Sequence, residues 1–503
     1  MSCTPCPPCE FEEPLTCEPY GTVTTGNRVM VEDDAFCTKA LVSPETGSTL
    51  VWEDGIKWKE TVPPVPPEVP FDETTPFLAE GTTEPRNLVT RMADVVNVKD
   101  FGAVGNGVAD DTVAFQTALD TGFDVFVPCS TNEIYIIGGP LTIDNRGQRL
   151  FGNQINGKTS SGTATGFIKF VNDRGGVGGV PCISVTAHQV YIDGLTFRGN
   201  DRIAQPNTCI GFAKLINTDD MDGYVSSCNF IDFENAVVHV GRGLRFTMNN
   251  VSLCRYGIIH DWPTTGVVVT SPEQDLPFGD RAFEITNNRF HVVNQYAIYS
   301  KSPILRGALI SSNVNDLGEG LLRVDGDIVQ SVITNNVTEG AELTCIRTFG
   351  DVIGVNISNN VFAGTPAGLG MDTQNPPCAF NATGTKAVKQ LIFSNNTVSD
   401  INLDAILFGS GMDIKGLSIV GNTFINIGKD GNAIRACIRS ASSIDGASII
   451  GNSFYPVDAP VVFRTLSSSE TLTNVKAELN NYVASGGFNN GAFIDGGGNE
   501  IQS

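Results

Sequence analysis

Histidine and basic residues are both in short supply in this chain, and each shortage closes off a class of function. The four histidines among 503 residues fall at His188, His239, His260 and His291, far apart and without the spacing of a metal motif. Lysine and arginine number 32 against 55 aspartates and glutamates, a formal net charge of −23. A nucleic-acid binder needs a basic face, so no nucleic-acid partner is expected. The same charge weighs, more weakly, against a highly charged anionic polymer as ligand. No apolar run approaches the roughly 18 residues of a membrane span, so no membrane insertion is expected. The N-terminus shows no basic stretch followed by an apolar one, so no signal peptide is expected, and release by cell lysis is one route to the outside. The G-x-S-x-G nucleophile motif of serine hydrolases is missing as well.

What is abundant points to turn-rich β-structure. There are 54 glycines, and apolar residues make up 41% with only 17% charged. At 503 residues a single ordinary core is excluded unless the chain is an array that grows in one direction. Of 13 cysteines, Cys3, Cys6, Cys9, Cys17 and Cys37 crowd the start. The rest are scattered singly through β segments, as small buried hydrophobes are. Cys3-x2-Cys6-x2-Cys9 suits zinc, an iron–sulfur cluster or disulfides. Pro5, Pro7 and Pro8 stiffen the run and no histidine is near, so neither a metal nor a cofactor is expected, and disulfides or free thiols remain open.

In chain order, residues 1–60 carry short alternating pieces (Tyr20–Thr25, Asn27–Glu32, Thr49–Trp52 leading into Trp58) that suit a small β-rich module. Thr61–Pro85 holds seven prolines, an extended linker in the polyproline regime. Arg86–Ala93 can make two helical turns as a neck. Val98–Asp120, VKDFGAVGNGVADDTVAFQTALD, then divides this front from a long stretch of Gly, Asn and β-branched runs. Gly102, Gly105 and Gly107 predict a loop with unusual dihedrals. Asp110 and Asp111 are placed to cap a helix, whose apolar stripe is Val113, Ala114, Ala118 and Leu119 with Phe115 beside it. A short amphipathic helix there would cover the open end of a β array; a loop and helix inside an α/β domain is the alternative.

DFGAVGNGVADDTVAFQTAL resembles the opening signature of the pectate-lyase-like superfamily, roughly D-F-G-A-x-G-D-G-x-x-D-D-T-x-A, with Asn106 where the family usually has Asp. The preceding RNLVTRMADVVNV resembles the run leading into that signature in many phage tail proteins. The resemblance implies a right-handed parallel β-helix of the kind found in bacteriophage tailspikes, which are homotrimers.

The rest of the chain supports a repeat. An Asn follows a β-branched run at Asn200, Asn229, Asn250, Asn288, Asn313, Asn336, Asn360, Asn396, Asn422, Asn452 and Asn481. Spacings of about 21 to 26 with occasional surplus fit one coil per repeat with insertions, and Asn at equivalent turns can ladder its amides from coil to coil. A β-sandwich gives no reason for that period, and the Leu pattern of leucine-rich repeats is absent. The fold class expected is therefore all-β: a right-handed parallel β-helix with a capping helix after a small β-rich module. The regions expected are 1–60 as virion-attachment module, 61–92 as linker and neck, 93–485 as β-helix, and 486–503 as C-terminal tail.

Equivalent positions on successive coils lie about 4.8 Å apart, so carboxylates at matching offsets from the marker Asn are candidates for chemistry. NVNDLGEGLLRV aligned on NVTEGAELTCIRT puts Asp316 opposite Glu339 and Glu319 opposite Glu342, with Arg323 and Arg347 just beyond. Glycoside hydrolysis uses two carboxyls about 5–5.5 Å or about 6.5–9.5 Å apart, and stacked acids divide into acid and base. Solvated turn acids would give the same pattern. A second cluster, Arg255, Tyr256, His260, Asp261 and Trp262, borders the longest insertion, where aromatic faces and hydrogen-bonding groups suit sugar rings. An Asp cluster with a basic residue, as a Ca²⁺-dependent lyase needs, is not marked, so hydrolase ranks above lyase. The function expected is a phage tailspike or tail fibre subunit in the virion. Residues 1–60 would join other tail or baseplate proteins, and the β-helix would bind and cleave a bacterial surface polysaccharide. A non-catalytic tail protein and a secreted pectin-type lyase are the alternatives.

Overall fold

A computed structural model describes short strands between residues 24 and 61, Asn87, and most of 94–482, together with 494–495 and 500–501. Within 94–482 the stretches 130–131, 154–165, 172–179, 201–207, 213–222, 241–242, 262–282, 342–343, 365–377, 385–386, 429–435, 456–460 and 466–469 fall outside the description. The chain divides into two compact units, Met1–Arg91 and Met92–Ser503.

In the first unit, Thr24–Thr25, Arg28–Asp33, Thr38–Val42, Thr49–Glu53 and Lys57–Thr61 form a five-stranded antiparallel meander. Thr38–Val42 is a strand the alternation did not single out. The five N-terminal cysteines, the Pro-rich stretch beyond Thr61 and the neck (Asn87 apart) lie outside the described residues.

The second unit is a right-handed parallel β-helix with three faces, named here in the order one coil visits them. Leu244–Thr247 lies on face A, Asn250–Ser252 on face B and Tyr256–His260 on face C; the chain then returns to face A at Phe283–Thr286. Every pairing between coils is parallel and joins a strand to its counterpart one coil on. Among the described residues, face B has 15 strands and face C has 12. On face A a side ladder (Ile304–Arg306, Asp327–Val329, Val352–Ile353, Ala387–Lys389) runs beside the main one, and both merge into Asp413–Val420.

Strand alternation explains the core. Ile210, Val237, Ile258, Ile298, Leu322, Ile346, Phe380, Ile406, Ile438 and Phe463 occupy one register row of face C, all buried. Each such side chain contributes about 1.5–3 kcal/mol on burial. Cys129, Cys182, Cys209, Cys228, Cys254, Cys345, Cys378 and Cys437 are buried thiols outside any disulfide, and burial pushes the Cys228 thiol up to about 12. They serve as small hydrophobes. The histidines that lie apart in sequence do meet in one place. His239 and His260 are one coil apart and stack in the core, with ring centroids 5.4 Å apart and Nδ1 atoms at 3.2 Å.

The capping helix α1 spans Thr112–Asp120 and buries Ala114, Phe115, Ala118 and Leu119. Val113, expected in that stripe, points outward at 77% exposure, because the apolar face is set by contact with the first coils, where Phe115 meets Tyr135 edge-on at 5.3 Å. Asp111 occupies the N-cap position but makes no side-chain cap bond. Its buried carboxylate instead accepts the amides of Val104 at 2.6 Å and Gly105 at 3.3 Å, tying down the glycine loop. Asp110 accepts from the Thr112 amide and hydroxyl and from the Gly138 amide. Gly105 has φ +66°, and a Cβ there would stand 2.8 Å from the Tyr135 ring.

The turn from face A to face B carries the buried amide ladder. Asn336 Oδ1 accepts both the backbone amide of Asn313 at 3.0 Å and its side-chain amide at 2.9 Å. Asn336 Nδ2 in turn donates to Ile310 O and to Asn360 Oδ1, each at 2.9 Å. The same pattern links Asn249, Asn288, Asn313, Asn336, Asn360, Asn396, Asn422, Asn452 and Asn480. The ladder thus runs one residue ahead of three expected markers. Asn229, Asn250 and Asn481 begin strands of face B, and Cys228, Asn249 and Asn480 hold the ladder position. Asn200 bonds to Val171 O instead. Before each ladder residue stands one in the left-handed region, among them Asn287, Asn335, Asn359, Asn395, Gly421 and Gly451. In the Asn-Asn and Gly-Asn pairs the first residue therefore tolerates positive φ and the second carries the ladder.

Asn336→Ala should lower stability by about 3 kcal/mol, because it strands buried donors and acceptors on two neighbouring coils. Asn335→Gly should change it by less than about 0.5 kcal/mol, with thermal unfolding of the two variants as the measurement. The hydrogen bonds from Thr112 hold the Asp110 carboxyl below its ordinary 3.8. A lowered folded-state value stabilises above the unfolded one and is lost as pH falls through the folded one. Acidification below 3.8 should therefore loosen the start of α1, followed by the Thr112 and Gly138 amide resonances, and Asp110→Asn should remove that step.

Candidate functional site

On face B, Ser252, His291, Asp316 and Glu339 fill one register row on successive strands. Asp316 and Glu339 thus stand in neighbouring register positions. Strands of a sheet are about 4.8 Å apart, so two carboxyl side chains here have the reach of either glycosidase geometry. The Asp316 carboxylate is held by Arg289 Nη2 at 2.9 Å and by His291 Nδ1. Glu339 lies at the exposed end of the row.

Glu319 belongs to the corner between faces B and C. Gln295 Nε2 donates to its Oε1 at 2.8 Å, and its charge is felt by Arg255, Tyr256 and Tyr296. Its expected partner Glu342 lies outside the described residues, as does Trp262. Asp261 is described: it directly follows the strand Tyr256–His260, and its amide donates to His239 O at 2.9 Å.

Face C gathers residues that sequence spacing had placed in two separate clusters. Arg255 lies 5.5 Å above the Tyr256 ring and binds Glu234 at 2.7 Å. Tyr256 packs on Tyr299, with ring centroids 5.6 Å apart. Tyr299, Arg323 and Arg347 occupy one register row. Arg323 is sandwiched between Tyr299 at 4.7 Å and Phe349 at 5.2 Å, and Arg347 lies 4.6 Å over the same Phe349 ring. Asp325 receives Arg323 Nε at 2.8 Å and the Tyr299 hydroxyl at 2.5 Å. Burial first, and then that hydrogen bond, push the Tyr299 phenol well above its ordinary range, so it stays a donor. Burial likewise pushes Tyr296 up to about 12.

The result is one continuous wall of aromatic rings and guanidinium groups that ends near a carboxyl at the corner. Aromatic faces take sugar C–H surfaces and arginine takes hydroxyl or acidic oxygens. Tyr299, Asp325, Phe349 and Glu234 were not foreseen. The available signal for Tyr299 was its one-coil distance from Arg323, itself one coil from Arg347.

The core beneath is unusual. The inner row of face B holds Phe197, Phe230, Val251, Phe290, Asn315, Thr338, Phe362 and Val398. Polar residues thus interrupt an apolar row at the two coils that carry Asp316 and Glu339. Neither polar atom of the buried Asn315 side chain has a hydrogen-bond partner among the described residues. Native cores rarely tolerate this outside functional regions.

No family model matches the chain. It is 24% identical over 257 residues to the pre-neck appendage protein of Bacillus phage phi29, a match covering 49% of this chain and 26% of that relative. Among solved structures, the pre-mature phi29 gene product 12 superposes with TM-score 0.49 and 15% identity over 78% of this chain and 53% of the other. The bacteriophage CBA120 tailspike protein 3 gives TM-score 0.48 and 11% identity over 96% and 75%. In sequence the chain is similar to phage pre-neck appendage proteins. The match spans about a quarter of the phi29 relative's length. Among the described residues, no helix is long and apolar enough to cross a membrane, and no group of three potential ligands could hold a metal ion.

A Cβ at Gly320 would stand 2.4 Å from Thr344 O and 2.5 Å from the Tyr296 ring. Gly320→Ala should therefore cost about 1–3 kcal/mol and displace Tyr296 from its buried position beneath the wall, seen as a lower melting temperature and a changed near-ultraviolet tyrosine signal.

Proposed function

We propose that this chain is a tail appendage subunit that binds a bacterial surface polysaccharide along face C and cleaves it at the corner between faces B and C. The observation that supports this reading best is the continuity of the Tyr256–Tyr299–Arg323–Phe349–Arg347 wall with the carboxyls at its edge. Glu319 is assigned as proton donor, since it alone of the described carboxyls in the set is coupled to Tyr256 and Tyr296. Asp316 or Glu339 supplies the second carboxylate, with Glu342 as the remaining candidate. In a glycosidase the acid protonates the departing oxygen, while the partner attacks the anomeric carbon or activates water. Arg255, Tyr256, Asp261 and Trp262 extend the binding surface toward the insertion at 262–282.

The kinship with a pre-neck appendage protein supports a place in the virion, and residues 1–60 are assigned to attachment to other tail proteins. A homotrimer is part of the same reading. Leu309, Val314 and Ile392 stay 36–42% exposed on either side of the asparagine turn, where neighbouring copies would cover them. A purely adhesive tail protein would use the same wall without turnover.

Glu319→Gln should reduce depolymerisation by about two to four orders of magnitude while glycan binding changes little, because the amide keeps the shape but cannot give up a proton. Asp316→Asn, Glu339→Gln and Glu342→Gln identify the partner. Full activity in all four variants would remove these carboxyls as the catalytic groups, whereas binding without depolymerisation by the unaltered chain would leave the adhesive reading standing.

A further inference from the structure

We infer that Arg347, paired with Arg323, recognises an anionic group on the repeating unit of the polysaccharide, a carboxylate or a phosphodiester. The inference rests on the binding surface proposed above and goes on to name its ligand chemistry. Arg323 and Arg347 are register partners on adjacent strands, so the two side chains leave the same side of strands about 4.8 Å apart. Like charges at that distance repel. Asp325 is committed to Arg323 and Tyr299. Arg347 forms no ion pair with any described residue, and its Nε is buried without a hydrogen-bond partner. The neighbouring Tyr296 hydroxyl is buried with no well-aligned hydrogen bond among the described residues, and Arg347 is close enough to act on its oxygen by charge and as a hydrogen-bond donor.

Here then are a half-buried cation without a counter-charge among the described residues and a buried phenol with an unused O–H, side by side on face C. Partly buried guanidinium groups are stabilised by planar oxygen anions, which take two parallel N–H bonds. Phe349 lies under both arginines and fixes their planes, so the fork is preorganised for such a group. The chain as a whole carries −23, so its long-range field repels polyanions and the recognition has to be local. That suits a polymer with one acidic group per repeat better than one charged at every sugar.

The test is binding to the full chain by calorimetry, with three probes: an oligogalacturonate, the same oligomer with its carboxyls reduced to alcohols, and an oligo(glycerol phosphate). Binding of an anionic probe should weaken at least about tenfold in Arg347→Gln and be restored only in part by Arg347→Lys, which keeps charge but not the fork. The two anionic probes separate carboxylate from phosphodiester. Equal binding of the reduced oligomer, binding indifferent to Arg347→Gln, or no binding of either anionic probe up to about 10 mM would each overturn the inference. Glu319→Gln is carried alongside. An unaltered anion affinity in that variant, with turnover lost, upholds both readings. Loss of the arginine effect with catalysis intact removes this inference and leaves the hydrolase standing.

Discussion

A side-chain amide can both give and take hydrogen bonds, and the β-helix depends on that double capacity at one turn per coil. Each ladder asparagine satisfies the amide of the coil before it and is satisfied by the coil after. A sharp turn leaves backbone groups that neither sheet can reach, and burying them unpaired costs about 1–3 kcal/mol each. The ladder removes that cost at every coil and fixes the offset between faces A and B. Register on both faces then follows, and with it the rows in which Asp316 meets Glu339 and Arg323 meets Arg347.

Register also explains how an acidic chain holds a cationic strip. Side chains that the strand directs outward are aligned by position and not by charge, so arginines one coil apart are forced together. On face A the conflict is resolved internally, with Arg245 bound to Glu284 at 2.7 Å and Arg149 to Asp193 at 2.5 Å. Face C resolves it for Arg323 through Asp325 and for Arg255 through Glu234. Arg347 has no such partner among the described residues, and it lies on the coils whose core is polar at Asn315 and Thr338.

The repeat was legible because a turn with one positive-φ residue and one laddered amide restricts both positions, which writes Asn-Asn or Gly-Asn into the chain. Met248 and Leu479 occupy the same left-handed position without that signature, and there the marker was misplaced by one residue. The helix was legible from its apolar positions, whereas Val113 and the true role of Asp111 depended on which surface the helix met. Arg323 and Arg347 could be placed near each other from their offsets, which differ by one residue that only the structure absorbs. That Tyr256 joins them could not, since the connection runs through Tyr299 and a corner whose geometry no local pattern records. His239 and His260 were missed for a related reason: stacking across a coil resembles separation when only sequence distance is considered.

From Asn249 to Asn480, ladder neighbours are separated by as few as 23 and as many as 39 residues, yet two residues always suffice between face A and face B. All the variation in coil length falls at the other two corners. Insertions can therefore be gained, lost or exchanged there while the spine keeps its pitch. Under the function proposed above, with a coat that bacteria alter readily as ligand, this separates inheritance into two texts. One is copied faithfully because every amide checks its neighbour, and the other is free to be rewritten around it.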